Sequence, residues 1–219
     1  MDLTPDIILR AYAAGVFPMA ESRDDPGLFW VDPDMRGLLP LEQFHVPRSL
    51  KKVVRRGVFE IRYDTEFHST VLACAESSAG RDNTWINDEI VSLYCALHQM
   101  GHAHSVECWR NERLVGGLYG LSLGGAFFGE SMFSKETDAS KVALVYLVTR
   151  LRVGGYHLLD TQFVTDHLRQ FGAIEISRQD YHGLLEDALS HKGNFYRDVP
   201  IEEEEGVLSG VLQSRTQTS

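Results

Sequence analysis

The sequence predicts an α+β protein of mixed α/β character, built around an open sheet. Residues 105–109 and 114–118 read as strands joined by a polar turn, which predicts a hairpin. Residues 90–97 place apolar side chains one helical turn apart, which predicts a helix. A long helix over residues 138–152 then leads into another strand. Strands interspersed with helices, and partly paired in hairpins, indicate this fold class.

The composition is typical of a cytoplasmic globular protein. Of the 219 residues, 43% are hydrophobic and 24% are charged, as in average soluble domains. The 21 basic and 31 acidic side chains give a formal net charge of −10, which argues against a nucleic-acid coat but allows one local basic patch. No apolar run reaches the length of about 18 residues that a membrane span needs. The acidic start lacks a signal peptide's basic region, and the cysteines, without CxxC spacing, indicate reduced thiols.

Residues 1–40 are expected to form a small N-terminal unit. Thr4 and Pro5 can open a helix that Gly15 ends. Two apolar segments then flank a polar loop, and the turn-rich residues 31–37 close the unit. So short a unit cannot bury much surface alone, so we expect it to pack on the rest of the chain.

The rest of the chain alternates between predicted strands and helices, with breaks at turn residues. In chain order we predict a basic amphipathic segment over 47–56, a strand over 59–63, helices over 65–77 and 87–101, strands over 105–109, 114–118 and 126–131, a helix over 138–152, a strand ending at Gln162, a helix near 166–170, a strand over 174–177 and a helix over 181–190. Residues 200–219 are acidic and then rich in Ser, Thr and Gln, which predicts a disordered tail.

Polar side chains follow two of the apolar strands. Glu130 and Ser131 end one strand, and Asp160 and Gln162 end another. Because side chains alternate along a strand, we expect Asp160 and Gln162 on one face and Ser131 opposite Glu130. An acid and an amide beside a surface rich in Phe and Met predict a site that takes an apolar group and handles an amine. The alternative is that Asp160 and Gln162 merely end a strand and cap a helix.

Several motifs occur in one order along the chain. They are Ala11-Tyr12-Ala13-Ala14-Gly15-Val16-Phe17-Pro18-Met19, Trp30 with Asp32-Pro33-Asp34-Met35-Arg36, Thr84-Trp85-Ile86, Gly101-His102-Ala103-His104-Ser105-Val106-Glu107-Cys108-Trp109, Leu114-Val115-Gly116-Gly117-Leu118-Tyr119-Gly120, Phe127-Phe128-Gly129-Glu130-Ser131-Met132-Phe133-Ser134, and Asp160-Thr161-Gln162 with His167-Leu168. As a set they closely resemble the bacterial leucyl/phenylalanyl-tRNA–protein transferases. The sequence departs from that family at Thr161, where Cys is usual, and at Phe29, where Trp is typical.

The resemblance implies a small N-terminal domain over residues 1–40 and a GNAT-like (acetyltransferase-like) catalytic domain over residues 41–199. It implies an aminoacyltransferase that moves Leu, Phe or Met from aminoacyl-tRNA to proteins with N-terminal Arg or Lys, which marks them for degradation by the N-end rule pathway. The reaction is aminolysis of an activated ester, so no metal or cofactor is expected. The expected partners are aminoacyl-tRNA and acceptor proteins, with no membrane, and the expected state is a monomer.

The resemblance also implies the residues of the site. Gln162 would accept a hydrogen bond from the amine, Asp160 would orient that amide, and Glu130 would hold the acceptor's cationic side chain or support the pair. A neutral amide is a poor proton acceptor, so Asp160 or the ribose hydroxyl would carry the proton. The implied substrate-binding residues are Trp30, Trp85, Leu118, Phe127, Ser131, Met132, Leu144, Leu151 and Leu159.

These substrate-binding residues suit an aminoacylated 3′ end. A flexible methionine side chain lets one pocket accept Leu, Phe and Met, and an aromatic ring that stacks on a terminal base is worth roughly 1–3 kcal/mol. The dense basic cluster of Arg48, Lys51, Lys52, Arg55 and Arg56 is the predicted phosphate contact for tRNA. A solvated helix face is the more common explanation of such a cluster.

Three other functions compete with this one. An acetyl-CoA-dependent acetyltransferase would carry a glycine-rich phosphate loop, but residues 134–140 contain no glycine. A metal hydrolase could use His98, His102 and His104, although Gly101 would break the helix between them. A non-catalytic tRNA-binding module would leave the acid and amide pair unexplained.

Overall fold

A mixed sheet organises the chain, which a computed structural model describes over residues 3–20, 28–76 and 86–213. In these ranges the helices are α1 (Pro5–Ala13), α2 (Arg48–Arg55), α3 (Phe67–Ala75), α4 (Asp88–Gln99), α5 (Ala139–Val153), α6 (Asp166–Arg169), α7 (Arg178–Ser190) and α8 (Ile201–Gln213). The strands are β1 (Phe17–Ala20), β2 (Leu28–Val31), β3 (Met35–Leu38), β4 (Glu60–Tyr63), β5 (Ala103–Arg110), β6 (Arg113–Leu123), β7 (Ala126–Ser134), β8 (Leu158–Gln162) and β9 (Ile174–Ser177). Not one of these helices is both long and apolar enough to span a bilayer.

The main sheet has the strand order β4-β5-β6-β7-β8-β3-β9, and β1 pairs separately with β2. Neighbours in the main sheet run antiparallel except β7 and β8, which are parallel. One apolar core contains residues of α2, α5 and α8, and a second contains residues of α1, α3, α4 and α7. The predicted mixed α/β class and the mostly antiparallel sheet are confirmed, as is the predicted hairpin of β5 and β6.

The parallel strands β7 and β8 are paired only over their first residues. Their register runs from Ala126 opposite Leu158 to Phe128 opposite Asp160. Beyond this point β7 continues along β6 to Ser134, while β8 pairs with β3 on its other side. The sheet therefore opens between the carboxyl ends of two adjacent strands, which is where an α/β sheet often binds ligands.

A β-bulge at Glu130 changes which way the end of β7 faces. The register of β6 and β7 shifts there, so that Glu130 has no partner on β6. An extra residue of this kind bends the strand and redirects side chains. Phe127 and Met132 consequently pack on the same core although their numbers differ in parity. Simple alternation, which predicts Ser131 on the face opposite Glu130, does not hold across this bulge.

Strand β3 ties the N-terminal region into the main sheet. It lies between β8 and β9 and is antiparallel to both. The turn-rich segment predicted over residues 31–37 is therefore a strand from Met35 onward. The expected domain boundary at residue 40 stays a prediction.

The disordered tail predicted from residue 200 is wrong for most of its length. Residues Ile201–Gln213 form α8, in which Val211 and Leu212 are buried. These apolar side chains pack on the core that contains α5, and Arg150 forms an ion pair with Glu204 at 3.2 Å. Acidic side chains in the first turn also suit the partial positive charge of a helix N-terminus. Residues 214–219 lie outside the described ranges.

Candidate active site

A cavity of about 970 Å³ lies where β7 and β8 separate. Strand β7 contributes Glu130, Ser131 and Met132 to its wall, and the end of β8 contributes Gln162. The first turns of α5, the end of α3 and the start of β1 complete the wall. Because Glu130 and Ser131 both line this cavity, the expectation that they face opposite sides is wrong, and the bulge is the reason.

Asp160 lies behind this cavity and does not line it. Its carboxylate is completely buried and accepts hydrogen bonds from Arg36 Nη2 at 2.7 Å, Tyr181 Oη at 2.6 Å and the Gln162 backbone N–H at 2.7 Å. Arg36 Nε adds contacts of 3.1 Å to both carboxylate oxygens. Asp160 thus has a full set of hydrogen bonds and a paired charge before any substrate arrives.

Arg36 links the N-terminal region to strand β8, which carries Asp160, and to helix α7, which carries Tyr181. Its side chain is 1% exposed and lies between the rings of Phe17 and Tyr181, with its guanidinium carbon 4.5 and 4.4 Å from their centres. Nη1 donates to the Gly15 carbonyl at 2.9 Å. Burial opposes the charged guanidinium, but the hydrogen bonds to Asp160 and the charge of Asp160, with smaller effects of Tyr181 and Tyr12, together outweigh it and raise the pKa of Arg36. Arg36 and Asp160 form a buried ion pair.

Gln162 sits in a strained turn at the end of β8. Its φ is 55°, a region that non-glycine residues rarely adopt, and Phe163 N–H donates to the Thr161 carbonyl at 2.6 Å, the hydrogen bond of a γ-turn. Such strain persists only where neighbours enforce it. Here Asp160 holds the Gln162 N–H, and at Gly37 a Cβ would lie only 2.7 Å from the Phe163 carbonyl carbon.

This turn separates Gln162 from Asp160. Gln162 lines the cavity and Asp160 does not, so the expectation that they share a face is wrong. The reason is the positive φ, which ends the alternation of the strand. Asp160 binds the backbone N–H of Gln162 and not its side-chain amide. The side-chain nitrogen, Nε2, has no hydrogen-bond partner in the described parts of the chain.

Glu130 is a half-buried carboxylate held by two tyrosines. Its Oε1 accepts a hydrogen bond from Tyr12 Oη at 2.7 Å, and Tyr12 Oη lies 2.7 Å from Tyr94 Oη. Burial is the main cause that raises the pKa of Glu130 to about 7, because it disfavours the charged carboxylate. Tyr119, whose buried hydroxyl lacks a partner among the described residues, also lines this part of the cavity.

The other end of the cavity is apolar. Leu118, Met132, Leu144 and Leu159 line it, as the sequence analysis expected. Leu147 and Leu168 join them, although no signal in the sequence separated them from ordinary core residues. Phe127 and Leu151 are completely buried and do not line the cavity, so they can act only by packing behind it.

Comparison with known proteins decides the family. Residues 38–186 match the family model described as leucyl/phenylalanyl-tRNA protein transferase, and residues 1–34 match the model of that family's N-terminal domain. The chain belongs to the leucyl/phenylalanyl-tRNA protein transferase family. The small N-terminal domain that the resemblance implied is thereby confirmed.

Two curated members of the family are similar along almost their whole length. The leucyl/phenylalanyl-tRNA–protein transferase of Paramagnetospirillum magneticum is 60% identical, covering 91% of this chain and 95% of that protein. The one of Maricaulis maris is 56% identical, covering 97% of this chain and 96% of that protein. A solved structure of L-PGS from Bacillus licheniformis aligns with a TM-score of 0.40 at 12% identity, covering 90% of this chain and 60% of that one. That last likeness is too weak to decide the fold.

The two tryptophans expected from this family are not equally placed. Trp30 lies on β2 opposite Pro18 and is 43% exposed. It does not line the cavity, although Pro18 does. Trp85 lies outside the described residues, so its expected role stays a prediction.

The basic cluster on α2 is separate from the cavity. Arg48, Lys52, Arg55 and Arg56 are exposed and Lys51 is half-buried, while Leu50 and Val54 face the core. In the described parts of the chain, no carboxylate lies within ion-pair distance of these five cations. Arg62, Arg110 and Arg152, in contrast, each contact a glutamate. The α2 cations are therefore available to an external anion.

The histidines considered as metal ligands each have a structural partner. His98 Nδ1 lies 2.8 Å from the Ala103 carbonyl, and His102 Nδ1 lies 3.3 Å from the Ser122 carbonyl. His104 Nδ1 lies 2.7 Å from Asp64 Oδ2. The contacts of His98 and His102 link the end of α4 and the turn after it to β5 and β6. Among the described residues these three histidines do not form a metal-binding group.

Four polar residues of the site were not identified from the sequence. Tyr12 and Arg36 fall inside motifs that carried the family resemblance, and Arg36 is a charge within the otherwise apolar run from Met35 to Leu39, which was a usable signal. Tyr94 and Tyr181 occupy apolar helical positions and look like core residues. Only the fold brings the Tyr181 hydroxyl to Asp160, and the Tyr94 hydroxyl to the Tyr12 hydroxyl that donates to Glu130.

Proposed function

We propose that the cavity between β7 and β8 is where this aminoacyltransferase joins an aminoacyl group to the α-amino group of an acceptor protein. Members of its family transfer leucine or phenylalanine from aminoacyl-tRNA to proteins. The proposal adds methionine as a donor and N-terminal Arg or Lys as the acceptor rule. The observation that carries it is the half-buried carboxylate of Glu130, which lies in the same cavity as the Gln162 side chain and an apolar pocket.

The geometry favours catalysis by positioning. The α-amine of a peptide has a pKa of about 7.7–8.0, so part of it is already neutral near pH 7, and an aminoacyl ester is already activated. The side-chain oxygen of Gln162, Oε1, can accept a hydrogen bond from the amine. Its side-chain nitrogen, Nε2, which has no partner among the described residues, can donate to the substrate ester. Holding both reactants in line can supply much of the rate enhancement.

In this proposal Asp160 does not carry the proton. Its oxygens are occupied by Arg36, Tyr181 and the Gln162 backbone, and it does not face the cavity. Asp160 is a positioning residue that fixes the Gln162 turn. The proton of the attacking amine then leaves through the ribose hydroxyl or solvent, which does not require a side-chain base.

Glu130 is suited to the cationic side chain of the acceptor. A guanidinium or ammonium at this carboxylate would replace lost hydration with a charge-assisted hydrogen bond, which is about twice as strong as a neutral one. The bound cation would also favour the ionised carboxylate and lower the pKa of Glu130. The Tyr12 hydroxyl holds the carboxylate in place, and the apolar end of the cavity receives the leucyl, phenylalanyl or methionyl side chain.

We also propose that the larger domain is GNAT-like. The support is a bulged strand β7, a parallel neighbour β8 that leaves it, and a long helix α5 that follows β7. An acyl-CoA phosphate cradle is not favoured at that helix, because the Ser140 N–H donates to Ser134 Oγ at 3.1 Å and is therefore occupied.

The α2 cations are the proposed contact for the phosphates of the tRNA acceptor stem, since no carboxylate of the described ranges pairs with them. We further propose that the protein acts as a monomer in the cytoplasm and that the modified acceptor is then degraded.

The test of the proposed function is transfer of radiolabelled leucine from Leu-tRNA to a peptide beginning with Arg, beside one beginning with Ala. Label in the Arg peptide alone supports the proposal, and equal labelling of both peptides contradicts the acceptor rule.

A further inference from the structure

Two histidines and an aspartate meet on the surface at the start of β8, away from the groups that the reaction uses. His157 immediately precedes β8, while Asp187 and His191 lie at the end of α7. One potential ligand atom from each lies within 4.8 Å of the others. Asp187 Oδ2 is 3.8 Å from His157 Nδ1 and 3.9 Å from His191 Nδ1, and the imidazole rings stack with centres 3.8 Å apart.

The backbone around this cluster is fixed by hydrogen bonds. The Gly125 carbonyl accepts from the His157 N–H at 2.8 Å, and the Gly125 N–H donates to the Ala188 carbonyl at 2.8 Å. The His191 N–H donates to the same Ala188 carbonyl at 3.1 Å. A Cβ at Gly125 would lie 2.8 Å from the Ala188 carbonyl oxygen and 3.1 Å from His191 Cβ, so this close approach needs glycine. The three side chains therefore start from backbone positions that are already correct relative to one another.

The tautomer of His191 suits a metal ion. His191 Nδ1 lies 2.8 Å from the Asp187 carbonyl, and because a carbonyl can only accept, this nitrogen carries the proton. The lone pair is then on Nε2, and a histidine whose other nitrogen donates to a carbonyl is the usual arrangement at metal sites. Among the described residues, the Asp187 carboxylate has only these two histidines as ion-pair partners.

We propose that His157, Asp187 and His191 form a binding site for a divalent transition metal, with Zn²⁺ as the first choice. Imidazole nitrogen and carboxylate oxygen bind zinc at about 2.0–2.2 Å, and three such donors leave one position for water. Tetrahedral donors at that radius lie roughly 3.3–3.6 Å apart, whereas the candidate ligand atoms lie within 4.8 Å of one another. Binding must therefore shorten the longest of these separations by up to about 1.5 Å. The stacked rings must also turn, which side chains exposed by 42–43% can do.

A metal ion here would be structural. It would join the start of β8 to the end of α7, the two elements whose Asp160 and Tyr181 make the 2.6 Å hydrogen bond behind the cavity. Binding to the folded chain alone raises its stability by mass action. The site does not depend on the proposed function, and its loss should leave aminoacyl transfer without added metal unchanged.

The test is calorimetric titration of the metal-free protein with Zn²⁺, together with thermal unfolding with and without the metal. We expect one ion per chain and a raised Tm in the wild type. Binding should weaken at least tenfold in His157→Ala and in Asp187→Ala, while His68→Ala, an exposed histidine on α3, should bind as the wild type does. Substoichiometric binding, or binding that survives both ligand variants, as it would if the free cysteines held the ion, overturns the proposal. His157→Asn serves as a second variant where His157→Ala unfolds early.

Discussion

The strands on the two sides of the cavity hold their carboxylates in opposite ways. On β8, Asp160 is sealed from solvent, paired with Arg36 and saturated with hydrogen bonds. On β7, Glu130 is half-buried at a bulge, faces the cavity, and is held by tyrosine hydroxyls without a cation at ion-pair distance in the described structure. Asp160 is already paired with a cation of the protein, whereas Glu130 can pair with a cation of the substrate.

The difference assigns the two carboxylates different roles: one fixes the geometry of the site, and the other binds the acceptor. A buried ion pair with complete hydrogen bonding fixes geometry, because breaking it leaves an uncompensated charge. A carboxylate whose pKa is raised to about 7 gains from any cation that enters its site. We therefore assign rigidity to Asp160 and acceptor choice to Glu130, and each assignment can be tested with its own variant.

The largest expected effect comes from removing the partner of Asp160. Arg36→Met leaves a buried carboxylate unpaired, which should lower the free energy of unfolding by about 3–5 kcal/mol and abolish transfer as the Gln162 turn relaxes. Urea unfolding and the leucine-transfer assay measure the two effects. Adding Asp160→Asn to this variant removes the stranded charge, so the double variant should regain stability without regaining activity. A loss below about 1 kcal/mol in Arg36→Met, the range of an exposed pair, would contradict the assigned rigidity.

The next effect concerns the pH dependence of stability. Glu130 binds its proton more tightly in the folded protein than in the unfolded chain, because its folded pKa is raised to about 7. Its contribution is therefore complete below its unfolded pKa and is lost as pH rises through 7, by on the order of 3 kcal/mol. The free energy of unfolding, measured from pH 4 to 8, should fall less steeply in Glu130→Gln than in the wild type. Parallel curves for the two proteins would show that Glu130 is not buried as described.

A substitution at Gly37 tests whether the turn at Gln162 depends on the close approach of the Gly37 backbone. The Cβ introduced by Gly37→Ala would meet Phe163 and Val164 backbone atoms at 2.7 and 2.9 Å, so we expect a stability loss of about 1–3 kcal/mol and a fall mainly in kcat. Gly183→Ala on α7 is the matched control, since its Cβ would meet no atom within 4 Å. Normal kcat in Gly37→Ala would show that the turn tolerates displacement.

The smallest effect should come from α2. Its cations lie away from Asp160 and Glu130, so replacing them should not change the roles of these two carboxylates. Replacing Lys51, Lys52 and Arg55 with Gln should raise KM for aminoacyl-tRNA and reduce the steepness of its salt dependence, by up to about 0.9 per lost phosphate contact on a log–log plot. Arg10→Gln, an exposed cation on α1, is the control. Unchanged salt dependence in the triple variant would remove α2 from the tRNA interface.

The sequence predicted the local features of this fold better than its long-range ones. Helical spacing and alternation located the helices from α3 to α5 and the hairpin of β5 and β6, because each depends on nearby residues. The bulge at Glu130 is one extra residue that leaves no mark on composition. The insertion of β3 between β8 and β9 joins segments more than 120 residues apart. Helix α8 was hidden because its acidic first turn resembles a disordered tail, although Val211 and Leu212 follow a helical stripe.

The candidate site shows the same division. Family resemblance supplied Glu130, Asp160 and Gln162, and the structure keeps all three at one cavity or directly behind it. Their orientations could not be predicted, because alternation fails at the bulge in β7 and at the positive φ of Gln162. Arg36 and Tyr181 were missed since their role exists only through contacts with Asp160, which is distant in sequence.

The most direct test of the account is the ratio of kcat/KM for an acceptor peptide beginning with Arg to that for one beginning with norleucine. We would measure it in the wild type, Glu130→Gln and Asp160→Asn, after circular dichroism shows that each is folded. We expect the preference for Arg to fall by about 10- to 100-fold in Glu130→Gln, as for any lost hydrogen bond to a charged group. In Asp160→Asn both acceptors should lose activity by the same factor. A preserved Arg preference in Glu130→Gln, or one lost in Asp160→Asn, would contradict the assignment of recognition to β7 and of holding to β8.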